Sequence, residues 1–486
     1  MNPIFLETIL VCVGFFLLLA EAFLPRVRKV VIAYGAMVGV AGVFLLCFVV
    51  DPAVMNPDAG YSSYYVADSV AIFFKKLVLL ATLFVLVLAV EFAPTLKRFI
   101  PSEKEGGGTG EIYCLILFAC AGMMWMVSAA NFMMIFISLE LVTISFYIMV
   151  AYMRRNRSSL EAGIKFLILG AISTAMSVYG IAWIFGTLGT THLVTISTLL
   201  PSLPPENYIP LLFGLGLFLV SISFKVAAFP FQFWVPDVYQ GAPTPITAFL
   251  ATASKTAAMI VLLRVLEPFL AVPALADRLL PALAVLAALT MIMGNLAAIP
   301  QTNFKRLLAY SSIAHAGYLL MGVASVGSGT SGVAISYYLV AYLFMTIAAF
   351  AVTIVVTQAV GGDNISDFNG LAQRSPLLAT ALTIAVLSMA GLPFTAGFFG
   401  KFFIFEAAVA AGNYWLVGIG VAAVGCGFYY YLKVVRAMFW MPAPEVSADG
   451  PVVFKVSRLV ATMLVLLIAA LLIFGVYPAP VFALLP

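Results

Sequence analysis

About fourteen runs of mostly apolar residues, each close to the roughly 20 residues a helix needs to cross hydrocarbon, follow one another along 486 residues. Short polar stretches separate them. In lipid a backbone must satisfy its own hydrogen bonds, so a chain with this pattern folds as a bundle of spanning helices. Composition agrees: 64% of the residues are hydrophobic and 9% charged, against about 45–50% and 25% in soluble domains. The expected class is an all-α polytopic membrane protein lying in the lipid bilayer. Residues 1–10 hold Glu7 but no Lys or Arg, so the basic start of a cleaved leader is missing and the first run stays as a helix.

Charge in the connecting stretches sets an orientation. Alternate loops hold Arg26, Arg28 and Lys29; Lys97, Arg98 and Lys104; Arg154, Arg155 and Arg157; Lys305 and Arg306; Arg374; and Lys433, Arg436, Lys455 and Arg458. The intervening loops contribute only Arg278. Short cytoplasmic loops are enriched in Lys and Arg, and an even number of crossings then puts both termini outside, on the periplasmic side of a bacterial inner membrane. An organellar inner membrane fits the same bias.

Two apolar runs, near 209–237 and 375–412, exceed what one crossing needs. Each is interrupted by proline among small residues, at Pro230 in Ala227-Ala-Phe-Pro-Phe231 and at Pro393 in Ala390-Gly-Leu-Pro-Phe394. Proline removes a backbone donor and clashes with the preceding turn, so the seventh and twelfth spans are expected to be discontinuous helices. They lie five spans apart, and an odd offset makes them cross in opposite directions. That pattern implies two inverted five-helix repeats, helices 4–8 and 9–13. The expected division is a three-helix segment over 1–105, a first repeat over 106–270, a second over 271–442 and a last helix over 443–486.

Five ionisable residues fall inside apolar runs: Glu140, Lys165, Lys225, Lys255 and Lys401. A charge at the bilayer centre costs roughly 2.5–3.5 kcal/mol even on lenient scales, so such residues mark proton, ion or substrate paths. Lys225 precedes the first break by one turn, where freed carbonyls need a partner; it is either a proton carrier, since desolvation loosens a lysine's proton, or an ammonium that satisfies those carbonyls. Glu140 lies mid-span on the fifth helix. Lys165 enters on the next, antiparallel helix and either pairs with Glu140 across the hairpin or snorkels to the nearby edge. Lys255 is roughly 12 residues into its span, near the bilayer centre at about 1.5 Å per residue. Lys401 follows the second break and mirrors Lys225. His315, beside Ser311 and Ser312, suits a proton relay or a packing role.

Other features are weaker. Lys75 and Lys76 lie within about two turns of the outer edge, so interfacial snorkelling is expected. Gly106-Gly-Gly-Thr-Gly110 lacks a following Gly-Lys-Ser/Thr and reads as a linker. Cys12, Cys47, Cys114, Cys120 and Cys426 form no CxxC pair and sit in apolar runs, so neither a disulfide framework nor a metal or iron–sulfur centre is expected. With no dinucleotide fingerprint either, no cofactor is expected in this chain. Net charge is only +4 and dispersed, which argues against nucleic acid as a partner.

Two long motifs carry a resemblance. The run from Phe224-Lys-Val-Ala-Ala-Phe-Pro through Pro236-Asp-Val-Tyr-Gln-Gly-Ala-Pro to Thr252-Ala-Ser-Lys255, and the run Gly294-Asn-Leu-Ala-Ala-Ile-Pro to Ala309-Tyr-Ser-Ser-Ile-Ala-His315, resemble the antiporter-like membrane subunits of respiratory complex I. Within these, the chain looks like the subunit N type, the relative of mitochondrial subunit 2. The resemblance spans the whole length and implies a proton-translocating module of NADH:quinone oxidoreductase. It implies that Glu140 and Lys165 form a pair modulating the pump lysine Lys225, that Lys255 is the central connecting lysine, that His315 belongs to the polar axis, and that Lys401 leads to the exit half-channel. It also implies neighbouring antiporter-like and small membrane subunits as partners, with flavin, iron–sulfur clusters and quinone in other subunits. One departure stands out: many relatives have histidine where this chain has Gln232, which can hold a water but cannot titrate. The rival from a different class is a subunit of a multi-subunit cation/proton antiporter, driven by ion gradients with no redox partner.

Overall fold

The computed structural model describes residues 2–23, 29–50, 63–100, 109–443 and 454–485. The basic residues Arg26, Arg28 and Lys104 and the start of the glycine run, residues 106–108, lie outside them. Helices occupy the apolar runs: α1 (Phe5–Phe23), α2 (Lys29–Leu46), α3 (Ser69–Phe99), α4 (Glu111–Val127), α5 (Phe132–Val150) and α6 (Arg157–Leu188). A short α7 (Leu193–Leu199) leads to α8 (Tyr208–Val226) and α9 (Trp234–Gly241), the two halves of the seventh crossing. The eighth is α10 (Thr244–Phe249), a π-helical stretch (Leu250–Ser254) and α11 (Lys255–Leu270). Then come α12 (Pro273–Ala298), α13 (Phe304–Val323), α14 (Ser331–Val360), the single turn α15 (Leu371–Arg374), the paired α16 (Pro376–Ala390) and α17 (Ala396–Ala410), α18 (Tyr414–Trp440), α19 (Arg458–Val476) and the short α20 (Ala479–Phe482).

Among the described residues, eleven helices are long and apolar enough to cross a membrane. The remaining crossings are α4, with 17 residues, the more polar α13, and the broken pair α16 and α17. Local sequence marks the starts. The side chains of Asp68, Asn131, Asn156, Asn303 and Ser457 each accept a hydrogen bond from an N–H in the first turn of the helix that follows, supplying an acceptor for a donor the helix leaves free.

Both proline-containing breaks close alike. Ala227 and Gly391 end their helices in the left-handed region, at φ 68° and 89°. One residue on, the Ala228 N–H reaches the Ser223 carbonyl at 2.8 Å and the Leu392 N–H reaches the Leu387 carbonyl at 3.0 Å, the six-residue closure that satisfies a helix C-terminus. The corner before α5 is wired to the chain after α6 by Phe132 N–H to Thr191 O (3.0 Å) and Leu193 N–H to Ala130 O (3.0 Å). The corner before α13 is wired to the chain after α14 in the same way, by Phe304 N–H to Asp363 O and Ile365 N–H to Thr302 O (both 2.8 Å). In each five-helix set these are the second and third helices, and the odd number of crossings between the sets turns one upside down relative to the other.

The most apolar stretch of α14 is buried along its whole length, which makes it the pillar between the two sets. Beside it α12 and α13 pack very closely. A Cβ on Gly294 would lie 2.5 Å from the Ala314 nitrogen, and one on Gly317 would lie 2.7 Å from the Met291 nitrogen, so glycine is required at this crossing.

Lys75 departs from the snorkelling expected of it. It is wholly buried and pairs with the equally buried Glu7 at 2.7 Å. Its ammonium donates to the Tyr65 hydroxyl, which donates to Glu7 at 3.2 Å. The cause is tertiary: α2 and α4 pack against α3, and α1, seated on both of them, brings Glu7 to Lys75. Lys76, on the adjoining face, is half-buried with Nζ 4.2 Å from the centre of the Phe48 ring. Removing one member of a buried pair strands the other charge at a cost of about 3–5 kcal/mol, whereas apolar replacement of both is often neutral. Lys75→Met is therefore expected to lower the thermal midpoint and yield of the protein, and adding Glu7→Leu to restore most of both.

Candidate functional site

The first break positions Lys225 in the last turn of α8. Its ammonium donates to the Thr143 hydroxyl of α5 at 2.5 Å. Glu140 lies three residues before Thr143 and so on the same face of α5, with its carboxylate accepting from the Thr174 hydroxyl of α6 at 2.7 Å. The adjoining Ser173 donates to the Ser221 hydroxyl at 3.1 Å, one turn before Lys225. Hydroxyl groups thus tie α6 to α5 at Glu140 and to α8 at Ser221, and one from α5 holds the ammonium. The freed Phe224 carbonyl is taken by the Trp234 indole N–H at 3.0 Å. Lys225 is accordingly not the group that caps the broken end of α8.

Of the two placements open to Lys165, the structure does not show the pair with Glu140; the side chain is 42% exposed, in keeping with a residue that reaches toward the edge. Its Nζ lies 2.7 Å from Glu161, one turn back on α6, and 2.7 Å from Asp237 of α9. The other oxygen of Asp237 meets Arg306 of α13 at 2.8 Å. Thr174, which holds Glu140, is nine residues further along α6, about 13 Å at 1.5 Å per residue. Hairpin spacing alone put Glu140 nearest; the fold brings in Asp237 because the chain turns back after the break. Asp237 and Arg306 were not singled out from the sequence, although a carboxylate inside the short helix after a proline break is a usable signal.

The second cluster is fully interior. Lys255 follows the π-helical stretch, a distortion that often marks functional sites. It donates to the Ser312 carbonyl at 2.6 Å and the Ser312 hydroxyl at 2.5 Å. The same hydroxyl oxygen accepts from Tyr342 at 2.9 Å and lies 3.2 Å from the Tyr239 hydroxyl. One turn on along α13, the His315 ring nitrogens meet the Tyr338 hydroxyl and, at 3.1 Å, the Tyr431 hydroxyl. Tyr431 is also hydrogen-bonded to Ser311. Lys401, on α17, donates to the freed carbonyls of Met389 (2.8 Å) and Ala390 (3.0 Å) and stands 4.8 Å from the centre of the Tyr318 ring. The ammonium that caps a broken helix is thus at the second break. The tyrosines were missed: with 20 in the chain, nothing distinguished these few.

Among the described residues, the buried polar atoms with no hydrogen-bond partner include both amide atoms of Gln232, the Tyr318 hydroxyl and the Thr346 hydroxyl. Gln232 is only 2% exposed. Leaving such groups dry costs several kcal/mol, and a site with polar neighbours is one that an ordered water fills. Lys225, Lys255, His315 and Lys401 thus lie in hydroxyl-rich surroundings suited to passing protons. Among the described residues, no three His, Cys, Asp or Glu side chains are grouped to hold a metal ion.

Comparison with known proteins places this geometry in a family. Residues 129–427 match the family model described as NADH:quinone oxidoreductase/Mrp antiporter, transmembrane. The NADH-quinone oxidoreductase subunit N of Trichlorobacter lovleyi is 41% identical over 99% of this chain and 95% of its own length. That of Moorella thermoacetica is 38% identical over 98% and 95%. A chain of respiratory complex I from Thermus thermophilus, solved with bound aureothin, superposes with a TM-score of 0.80 at 31% identity, covering 98% of both chains. A chain of the Mrp complex from Dietzia superposes as well, at 0.81, but at 19% identity over 100% of this chain and 96% of that one, which speaks for the fold alone. The chain belongs to the antiporter-like membrane subunits of NADH-quinone oxidoreductase, in the subunit N family.

Proposed function

We propose that this chain moves protons outward across the membrane for an NADH:quinone oxidoreductase, with quinone reduced elsewhere in the complex and the energy reaching this chain as a rearrangement of charge. The observation that carries the proposal is the interior path itself. Three lysines and a histidine lie in it among hydroxyl groups, flanked by two helix breaks of opposite orientation. Lys225 takes and gives the proton at the first break, with Glu140 and the Lys165–Asp237 pair setting the field around it. Lys255 and His315 connect the two five-helix sets, which correspond to 106–270 and 271–442, and Lys401 hands the proton to the exit. Flavin, iron–sulfur clusters and quinone belong to partner subunits. The basic loops face the cytoplasm of a bacterial inner membrane, and both termini face the periplasm.

The partners are other membrane-arm subunits, a neighbouring antiporter-like one and small ones. Irregular backbone at membrane depth is not tolerated against lipid. At both breaks the proline is exposed on the bundle surface, beside Phe233 at 67% and Phe394 at 73% exposure, so neighbouring proteins are needed to cover them. The antiporter alternative shares the fold and the lysines; the full-length likeness to subunit N favours the redox-driven pump.

Three outcomes follow. Solubilised through a tag on this chain, the complex is expected to bring NADH:quinone reductase activity with flavin and iron–sulfur signals; a clean complex without redox centres would point instead to the ion-driven antiporter. Lys225→Ala is expected to leave assembly and electron transfer largely intact while proton translocation per electron falls; loss of assembly instead would mark the lysine as structural. Gln232→Leu, which removes the amide's hold on a water, is expected to slow translocation, and Gln232→His to preserve it, both read as dye-monitored acidification of vesicles normalised to NADH oxidation.

A further inference from the structure

Toward the end of the bundle opposite the basic loops, a narrow slot of about 160 Å³ opens where three parts of the chain meet. It is lined by Phe44 and Phe48 at the end of α2, Lys76 and Leu80 of α3, Phe344 of α14 and Phe474 of α19 among others. Only Lys76 in that lining is charged. Its neighbour Lys75 is neutralised by Glu7, but among the described residues no carboxylate pairs with Lys76. Its ammonium stands instead 4.2 Å from the centre of the Phe48 ring. The seam between α3 and α19 continues inward past Leu83 and Phe84 to Val87, which with Leu466 of α19 line a wider opening of about 610 Å³. Val87 is eleven residues beyond Lys76, about 16 Å along the helix. That is close to the roughly 15 Å of hydrocarbon in one leaflet. The slot itself is too small for a helix, since one turn of a helix 10 Å across fills about 400 Å³. A single chain of methylenes fits.

We propose that this slot binds one anionic phospholipid of the bilayer, with its phosphate on the Lys76 ammonium and one acyl chain lying along α3 toward Val87. The ammonium supplies a charge-assisted hydrogen bond to a phosphate oxygen, and the aromatic and aliphatic lining takes the chain out of the bilayer. A headgroup of net negative charge is favoured over phosphatidylcholine, whose own cation would stand near that of Lys76. The bound lipid fills the seam between the three-helix segment, the pillar α14 and the last spanning helix α19, and so joins both ends of the chain to the bundle. Such a site stands whether or not the chain moves protons.

The test uses the whole complex in vesicles of equal parts phosphatidylglycerol and phosphatidylcholine. Leu484, which also lines the slot and is 64% exposed, carries the probe as Leu484→p-benzoylphenylalanine. After illumination, peptides of this chain are analysed by mass spectrometry for attached lipid. Phosphatidylglycerol adducts are expected to outnumber phosphatidylcholine adducts. Lys76→Gln is expected to lower that preference about fivefold, and Lys76→Arg to keep it. Leu80→Trp, which fills the slot, is expected to lose both adducts. NADH oxidation by each complex reports its assembly. Should a variant fail to assemble, salt gives the same reading without one: at about 1 M the screening length falls to about 3 Å, and the preference is expected to disappear. Equal labelling by the two lipids, or a preference untouched by Lys76→Gln or by salt, overturns the anionic site. Adducts that persist in Leu80→Trp, adducts to another subunit in place of lipid, or no adduct at all overturn the slot as a lipid site.

Discussion

An ammonium taken out of water must find partners or lose its proton, and much of this protein is arranged around that requirement. The interior lysines, of which Lys225 is only partly buried, meet it in distinct ways. Lys75 lies against the carboxylate of Glu7. Lys401 rests on two carbonyls that a broken helix leaves free. Lys255 rests on one serine through both its carbonyl and its hydroxyl, and Lys225 on the hydroxyl of Thr143. The difference has a chemical consequence. Neutralising Lys75 would strand a buried carboxylate, whereas Lys225, Lys255 and Lys401 touch only neutral groups and can change charge state without orphaning an ion. The first is a fixture of the three-helix segment; the other three have the freedom a proton carrier needs.

The two helix breaks supply the geometry. Both close through the same backbone pattern, and both sit in a five-helix set wired at its corner by the same pair of backbone bonds. They satisfy the freed carbonyls differently, however. At the first an indole N–H does the work, leaving its lysine to the Thr143 hydroxyl, and at the second the lysine does the work itself. A repeated scaffold thus holds two non-equivalent charge sites, as vectorial transport requires: a path with identical ends gives no preferred direction.

The breaks, the spans and the lysines were legible in the sequence because each is a local signal: a proline among small residues, an apolar run of a given length, a charge where none belongs. What was not legible depends on pairing across distance. Glu7 and Lys75 are 68 positions apart, the Tyr65 hydroxyl that joins them is 58 from Glu7, and Lys165 and Asp237 are separated by 72. No periodicity reports such contacts, so Lys75 read as an interfacial residue and Lys165 as either a partner of Glu140 or a residue reaching the nearby edge. The π-helical stretch before Lys255 and the choice of Tyr239, Tyr338, Tyr342 and Tyr431 from among many tyrosines were hidden for the same reason: they follow from how helices meet.

Asp237 is where the two sets meet electrically. It holds Lys165 of the first and Arg306 of the second through separate oxygens, so a movement of either set changes what the other's cation sees. The size of the effect is enough to matter. At an effective dielectric constant of about 20, bringing a unit charge from about 10 Å to about 4 Å from a lysine changes their interaction by about 2.5 kcal/mol. That is comparable to moving one elementary charge through about 100 mV of membrane potential. Under the proposed function, a shift of α6 against α9 that parts Lys165 from Asp237 is a change of this kind in the charge around the first set.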